Sequence, residues 1–137
     1  MQIRLMRESD LPQVAKLYLQ AYEADWSEAG AQRYVAKFFR FEPESCLVAE
    51  ADGELAGAAL AFSYERESGL IVFLQELFVL PGRRKQGVGR ELVKFLREGF
   101  QNPKINVTPL VKADTNVLNF YNSLGFEQDK AVTFFVD

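Results

Sequence analysis

The stretch Leu70-Ile-Val-Phe-Leu-Gln-Glu-Leu-Phe-Val-Leu-Pro-Gly-Arg-Arg-Lys-Gln-Gly-Val-Gly-Arg-Glu-Leu-Val-Lys-Phe-Leu96 decides the fold. It passes from a strand rich in Leu, Ile, Val and Phe, through a basic loop punctuated by glycine, into a helix with Val88, Leu92, Phe95 and Leu96 on one face. The first amides of a helix lack intrahelical partners, and the aligned peptide dipoles put partial positive charge there, so this junction is a cradle for an anion such as phosphate. Gly87 and Gly89 keep side chains out of the way, and Arg83, Arg84, Lys85 and Arg90 add full charges. Such local density, in a chain of net charge -3, asks for a local anion. The plainer reading is a glycine loop capped by a solvated basic turn. Spacing narrows the anion. A Walker loop needs Lys and then Ser or Thr after its second glycine, where Arg90 and Glu91 stand; the dinucleotide fingerprint needs a small residue where Leu92 stands.

What the loop does match is Arg/Gln-x-x-Gly-x-Gly/Ala, as Arg84-Lys85-Gln86-Gly87-Val88-Gly89, preceded by the strand over residues 74–81. This resembles motif A of the GNAT acetyltransferase superfamily. Further on, Asp114-Thr-Asn-Val-Leu-Asn-Phe-Tyr-Asn-Ser-Leu-Gly-Phe126 is similar to the family's motif B, with Tyr121 at its tyrosine position. The specific matches are confined to residues 74–96 and 114–126; elsewhere only the order of elements agrees. One departure is that Asp114 aligns with the usual asparagine, with Asn116 two places later, and a carboxylate cannot donate a hydrogen bond as an amide can.

The resemblance implies an α/β fold: a mixed, mostly antiparallel sheet flanked by about four helices, with a splayed central strand pair. It also implies acetyl-coenzyme A as acyl donor. Arg84, Lys85, Gln86, Gly87, Val88, Gly89 and Arg90 would hold its pyrophosphate, the backbone around Phe78, Val79 and Leu80 its pantetheine arm and thioester oxygen, with Asp114 and Asn116 also on the cofactor side. Tyr121 would protonate the departing thiolate. Its plainer reading is a half-buried core tyrosine.

Glu76 stands out on its own terms. A carboxylate inside a strand of Leu, Ile, Val and Phe is costly to bury unless paired or functional, so it is a candidate to accept the amine proton, directly or through water. In a regular strand Gln75 faces the other way, and only a bulge would bring both into one cleft. The resemblance places the acceptor beside the loop between the first two helices, Tyr22-Glu-Ala-Asp-Trp-Ser-Glu28. Its carboxylates, including Asp25 and Glu28, and its aromatics Tyr22 and Trp26 suit a small cationic amine such as a polyamine or an aminoglycoside. A solvated helix cap with a core tryptophan is the alternative. For the whole chain, the alternatives are a protein N-terminal or lysine acetyltransferase and a silent acyl-coenzyme A-binding regulator.

Composition bounds the rest. With 137 residues and 48% hydrophobic content, one domain over residues 1–137 is expected. The acidic balance argues against nucleic acid as a partner. No apolar run approaches the roughly 20 residues of a membrane span, which makes a cytoplasmic location the default expectation. Histidine is absent and Cys46 is the single cysteine, so nothing suggests a metal site or a His-based nucleophile pair. Helical spacing predicts a helix over residues 11–22, a second capped by Ser27 with the stripe Ala31, Tyr34, Val35 and Phe38 and ending before Pro43, a third from Val88 ending near residues 99–103, and a short one over 117–124. Strands are expected over 3–6, 46–50, 55–65, 70–80, 105–111 and 132–136, with Asp52-Gly53 as a hairpin turn. The last strand is short enough to be completed by a second copy in a homodimer.

Overall fold

The computed structural model describes residues 1–109 and 116–137. Strands β1 (Gln2–Leu5), β2 (Leu47–Ala51), β3 (Glu54–Arg66), β4 (Gly69–Val79) and β5 (Lys104–Val107) form one sheet in the order β1-β2-β3-β4-β5. The first four pair antiparallel and β4–β5 pairs parallel, which gives the mixed sheet expected from the sequence. Helices α1 (Leu11–Tyr22) and α2 (Glu28–Phe41) cover one face, and α3 (Val88–Gly99) and α4 (Asn116–Ser123) belong to the other.

Local chemistry sets these boundaries. Pro12 sits in the first turn of α1, where its missing N–H is harmless, and Ser27 caps α2 by accepting the Gly30 amide at 3.0 Å. Asp52 and Gly53 both adopt positive φ, as the tight β2–β3 turn requires. The centre of β3 reads Ala56-Gly57-Ala58-Ala59, and this small-residue strand lets the helices come close. A Cβ on Gly57 would lie 2.8 Å from Val88 and 3.0 Å from the Phe78 carbonyl, so the N-terminus of α3 rests directly on the sheet. Leu92, fully buried, extends that contact.

Arg4 ties β1 to the start of α1. It gives Asp10 two bonds of 2.7 and 2.9 Å and also binds Glu50 on β2. This guanidinium holds the buried Asp10 carboxyl below its ordinary pKa.

Among the described residues one expected element is absent. Residues 132–136 pair with no strand; Val132, Phe134, Phe135 and Val136 are 75–93% exposed. Alternation and β-branching favour extended backbone, but a strand exists only where an edge receives it. The second half of the strand expected over 105–111 falls partly outside the described residues. Among the described residues no helix is long and apolar enough to cross a membrane, and no group of His, Cys, Asp and Glu side chains could hold a metal ion.

Candidate active site

The geometry starts from an irregularity in β4. Leu60 pairs with Glu76 and Ala61 with Leu74, leaving Gln75 as the extra residue of a bulge. The bulge brings two successive side chains to the same hydroxyl. Gln75 Nε2 donates to Tyr34 Oη at 3.1 Å, and Tyr34 donates in turn to Glu76 Oε2 at 2.7 Å. Tyr22 donates to the other oxygen, Glu76 Oε1, at 2.8 Å. The carboxylate is therefore clamped between two phenols, one from the end of α1 and one from the middle of α2.

Glu76 is the electrostatic centre of this region. Burial and then its charge push the Tyr18 phenol up, and the same two causes, with the hydrogen bond, raise Tyr22. Tyr34 is raised by burial and by its hydrogen bond to Glu76. All three stay protonated at neutral pH, and Tyr22 and Tyr34 donate to the carboxylate. Helical spacing makes Tyr34 one of the apolar-stripe residues of α2 and nothing more. Its contact with Glu76 joins residues 42 positions apart, and helical spacing carries no information about such a partner.

Beyond Leu74 the sheet opens. The parallel β4–β5 register ends at Leu74 and Val107, so among the described residues no strand pairs with residues 75–79 of β4 on that side. Leu80 donates its amide to Ala56 of β3 at 2.8 Å. Alternation then turns the amides of Val79 and Leu77 away from β3, into the gap, while Phe78 faces β3. Of the three backbone positions expected at the thioester, Val79 is thus the one whose N–H faces the opening.

Tyr121 projects from α4 towards the same region. Its ring lies between Phe120 and Phe126 at 5.0 and 5.3 Å, and its hydroxyl has no hydrogen-bond partner among the described residues. Burial first, and the Glu76 charge second, push this phenol up to about 12. It is protonated at neutral pH and free to donate.

The glycine loop forms the third part. Gly87 caps α3 with φ 83°, a left-handed conformation, and offers no side-chain cap. The first intrahelical bond runs from Glu91 to the Gly87 carbonyl, which leaves the Val88, Gly89 and Arg90 amides without helical acceptors. The basic residues divide their tasks. Arg83 binds Asp52 and Glu54 in the β2–β3 turn, and Arg84 donates to the Ala21 carbonyl at 2.6 Å, fastening the end of α1 to the loop. Lys85 and Gln86 are exposed, and Arg90 reaches Ser123 at 3.2 Å. Gly89 is buried, and a Cβ there would meet the Phe120 ring at 3.0 Å, so this glycine also seats α4. These free amides, with positive side chains around them, fit a pyrophosphate. Asp114 lies outside the described residues, and Asn116 opens α4.

The loop between α1 and α2 presents a wall. Trp26 lies over Gly30 and faces the rings of Tyr18 and Tyr34 at 6.5 and 6.2 Å, yet is 48% exposed. It is an exposed platform, unlike a core tryptophan. Asp25 and Glu28 are exposed beside it and form no ion pair among the described residues.

The layered α/β fold thus sets a clamped carboxylate, a phenol with no hydrogen-bond partner among the described residues, and a helix N-terminus with open amides around one end of β4. The model of the acetyltransferase (GNAT) family matches residues 11–126, and the chain belongs to that family. Mouse thialysine N-epsilon-acetyltransferase is 33% identical over 91 residues, which are 58% of this chain and 54% of that protein; the chain thus spans about half the length of that relative. Among solved structures, aminoglycoside 6'-N-acetyltransferase AAC(6')-IG from Acinetobacter haemolyticus superposes with a TM-score of 0.79 at 20% identity, covering 100% of this chain and 98% of that one. Aminoglycoside N-acetyltransferase AAC(6')-Iy, solved with coenzyme A, gives 0.80 at 23% identity, covering 99% and 93%.

Proposed function

We propose that this protein is an acetyl-coenzyme A-dependent N-acetyltransferase that moves the acetyl group to a primary amine by direct attack within a ternary complex. The carrying observation is the Tyr22–Glu76–Tyr34 clamp, set beside residues 75–79 of β4, with the Tyr121 hydroxyl, unpartnered among the described residues, close enough for the Glu76 charge to raise its pKa. The thioester supplies an activated acyl carbon. Glu76 takes a proton from the incoming ammonium, directly or through water, which frees the nitrogen lone pair. As the C–N bond forms, the Val79 amide donates to the oxygen that gains charge; as the C–S bond breaks Tyr121 gives its proton to the sulfur, and the second proton that the acylated nitrogen sheds returns to the tyrosine, directly or through water. No covalent enzyme intermediate is required, because orientation of two substrates in one cleft supplies most of the acceleration. The Val88, Gly89 and Arg90 amides, with Lys85 and Gln86 on the loop, hold the pyrophosphate. The reacting amine enters as a cation between Trp26 and the carboxylates Asp25, Glu28 and Glu76; the acceptor is a small molecule, of which polyamines and aminoglycosides are the first to test.

Calorimetric titration with acetyl-coenzyme A, followed by thiol release against polyamines, aminoglycosides, amino acids and peptides, tests this reading. Binding with amine-dependent release supports it. Release with peptides alone would move the acceptor to a protein N-terminus or lysine. Binding with no release from any amine would favour a silent acyl-coenzyme A sensor.

A further inference from the structure

A chain of aromatic contacts leads away from Glu76 along α2. Helix α2 carries two parallel ridges: Tyr34, Phe38 and Phe41 form one, and Arg33, Lys37 and Arg40 form the other, each at spacings that stack along a helix. The aromatic ridge starts at the Glu76 clamp. From Tyr34 it steps to Phe38 at 5.2 Å, and from Phe38 to Phe62 of β3 at 6.4 Å with the rings nearly parallel. Phe62 touches Phe41 at 6.0 Å and Phe73 at 5.5 Å, and Phe73 lies two residues before Gln75 on β4. The ridge therefore runs unbroken from the catalytic carboxylate to an open groove of about 520 Å³ lined by Lys37, Phe38, Arg40, Phe41 and Phe62.

The groove has an apolar floor and a cationic rim. Phe41 is 71% exposed, an unusual state for so large an apolar side chain. Lys37 forms no ion pair among the described residues, and Arg40 is held by one partner, Glu8, at the surface. The near end of the cleft is negative, at Glu76, Asp25 and Glu28, and the far end is positive. We propose that the acceptor carries its own anion: a primary amine joined through an aryl or alkyl body to a carboxylate, the amine at Glu76, the body on Phe38 and Phe62, and the carboxylate at Lys37 and Arg40. This rests on the acetyltransferase reading and narrows its substrate class, since polyamines and aminoglycosides bring no anion to the far rim.

Matched pairs of amines test it: phenylethylamine against its ring carboxylate, aminoethyl-benzoate, and octylamine against ω-aminooctanoate, each at saturating acetyl-coenzyme A. The carboxylate is expected to raise kcat/KM at least tenfold in each pair, and Lys37→Glu to erase that ratio. Phe62→Ala is expected to lower kcat/KM for both members of a pair while Lys37 still discriminates between them. Equal rates within each pair, or a ratio untouched by Lys37→Glu, would overturn the anion site and leave the acetyltransferase standing. If no amine at all releases thiol, the acetyltransferase reading fails, and phenylbutyrate, which has no amine, decides the groove by calorimetry. Binding weakened about tenfold by Lys37→Glu supports the site, and no binding refutes it.

Discussion

In the proposed mechanism Glu76 and Tyr121 divide the proton chemistry between a base that two phenols orient and an acid whose ring is packed but whose hydroxyl has no hydrogen-bond partner among the described residues. Glu76→Gln removes the proton acceptor while preserving the shape of the Tyr22–Glu76–Tyr34 clamp, so kcat is expected to fall by roughly 100-fold with acetyl-coenzyme A affinity nearly unchanged. Tyr121→Phe should cost a similar factor in kcat, again sparing the affinity. Because burial pushes Tyr121 up to about 12, the acid is still protonated well above the ordinary tyrosine range. The pH profile of kcat is thus expected to show no descending limb between pH 8 and pH 10; a limb there would remove Tyr121 as the acid. The sequence singled out Glu76 through the cost of a carboxylate in an apolar strand, and Tyr121 through its motif. It gave no hint of Tyr34, and it left open whether Gln75 could share the cleft, because a bulge is decided by the register of two strands and not by the residues of one.

Elements place these residues through close approach. Gly57→Ala would drive a methyl into Val88 and the Phe78 carbonyl, and since one obstacle is backbone, the N-terminus of α3 must lift. A loss of about 2 kcal/mol is expected in urea unfolding, together with weaker acetyl-coenzyme A binding, because the same helix end is the proposed phosphate cradle. Unchanged affinity in a destabilised variant would separate the cradle from this contact. The Arg4–Asp10 pair holds β1 against α1 in the same sense. Asp10→Asn leaves the guanidinium short of charge in a buried setting, for an expected loss of about 3 kcal/mol. Asp10 has a depressed pKa, so its contribution is present above the ordinary carboxylate range and vanishes as pH falls through its folded value; wild type and Asp10→Asn should converge in stability in acid. Helices and hairpin were legible from period and turn residues, because those signals are local. The strand expected over 132–136 was not decidable that way: its apolar residues fit a strand, but no described edge receives them.

Across the whole molecule, several groups hold their protons more tightly when folded. Burial pushes the Cys46 thiol up to about 11 and Tyr121 to about 12, and Tyr22 and Tyr34 rise from the same cause reinforced by Glu76. Between the unfolded and folded values of each group the native state binds more protons than the unfolded chain, so stability must fall as pH rises there. The stabilisation is complete below about pH 9, where unfolded cysteine begins to ionise. It declines through pH 11 as Cys46 titrates and on towards 12 with the tyrosines. The urea midpoint is therefore expected to hold steady from pH 7 to pH 8.5 and to drop clearly by pH 10.5, and Tyr121→Phe should flatten part of that drop. A midpoint that stays level to pH 10.5 would mean that these phenols and the thiol are solvated, and with them the cleft in which Tyr22, Tyr34 and Tyr121 surround one carboxylate. Two of the tyrosines that make the chain sensitive to alkali, Tyr22 and Tyr34, are the ones that hold Glu76, so alkaline stability and the geometry of the proposed base rise and fall together.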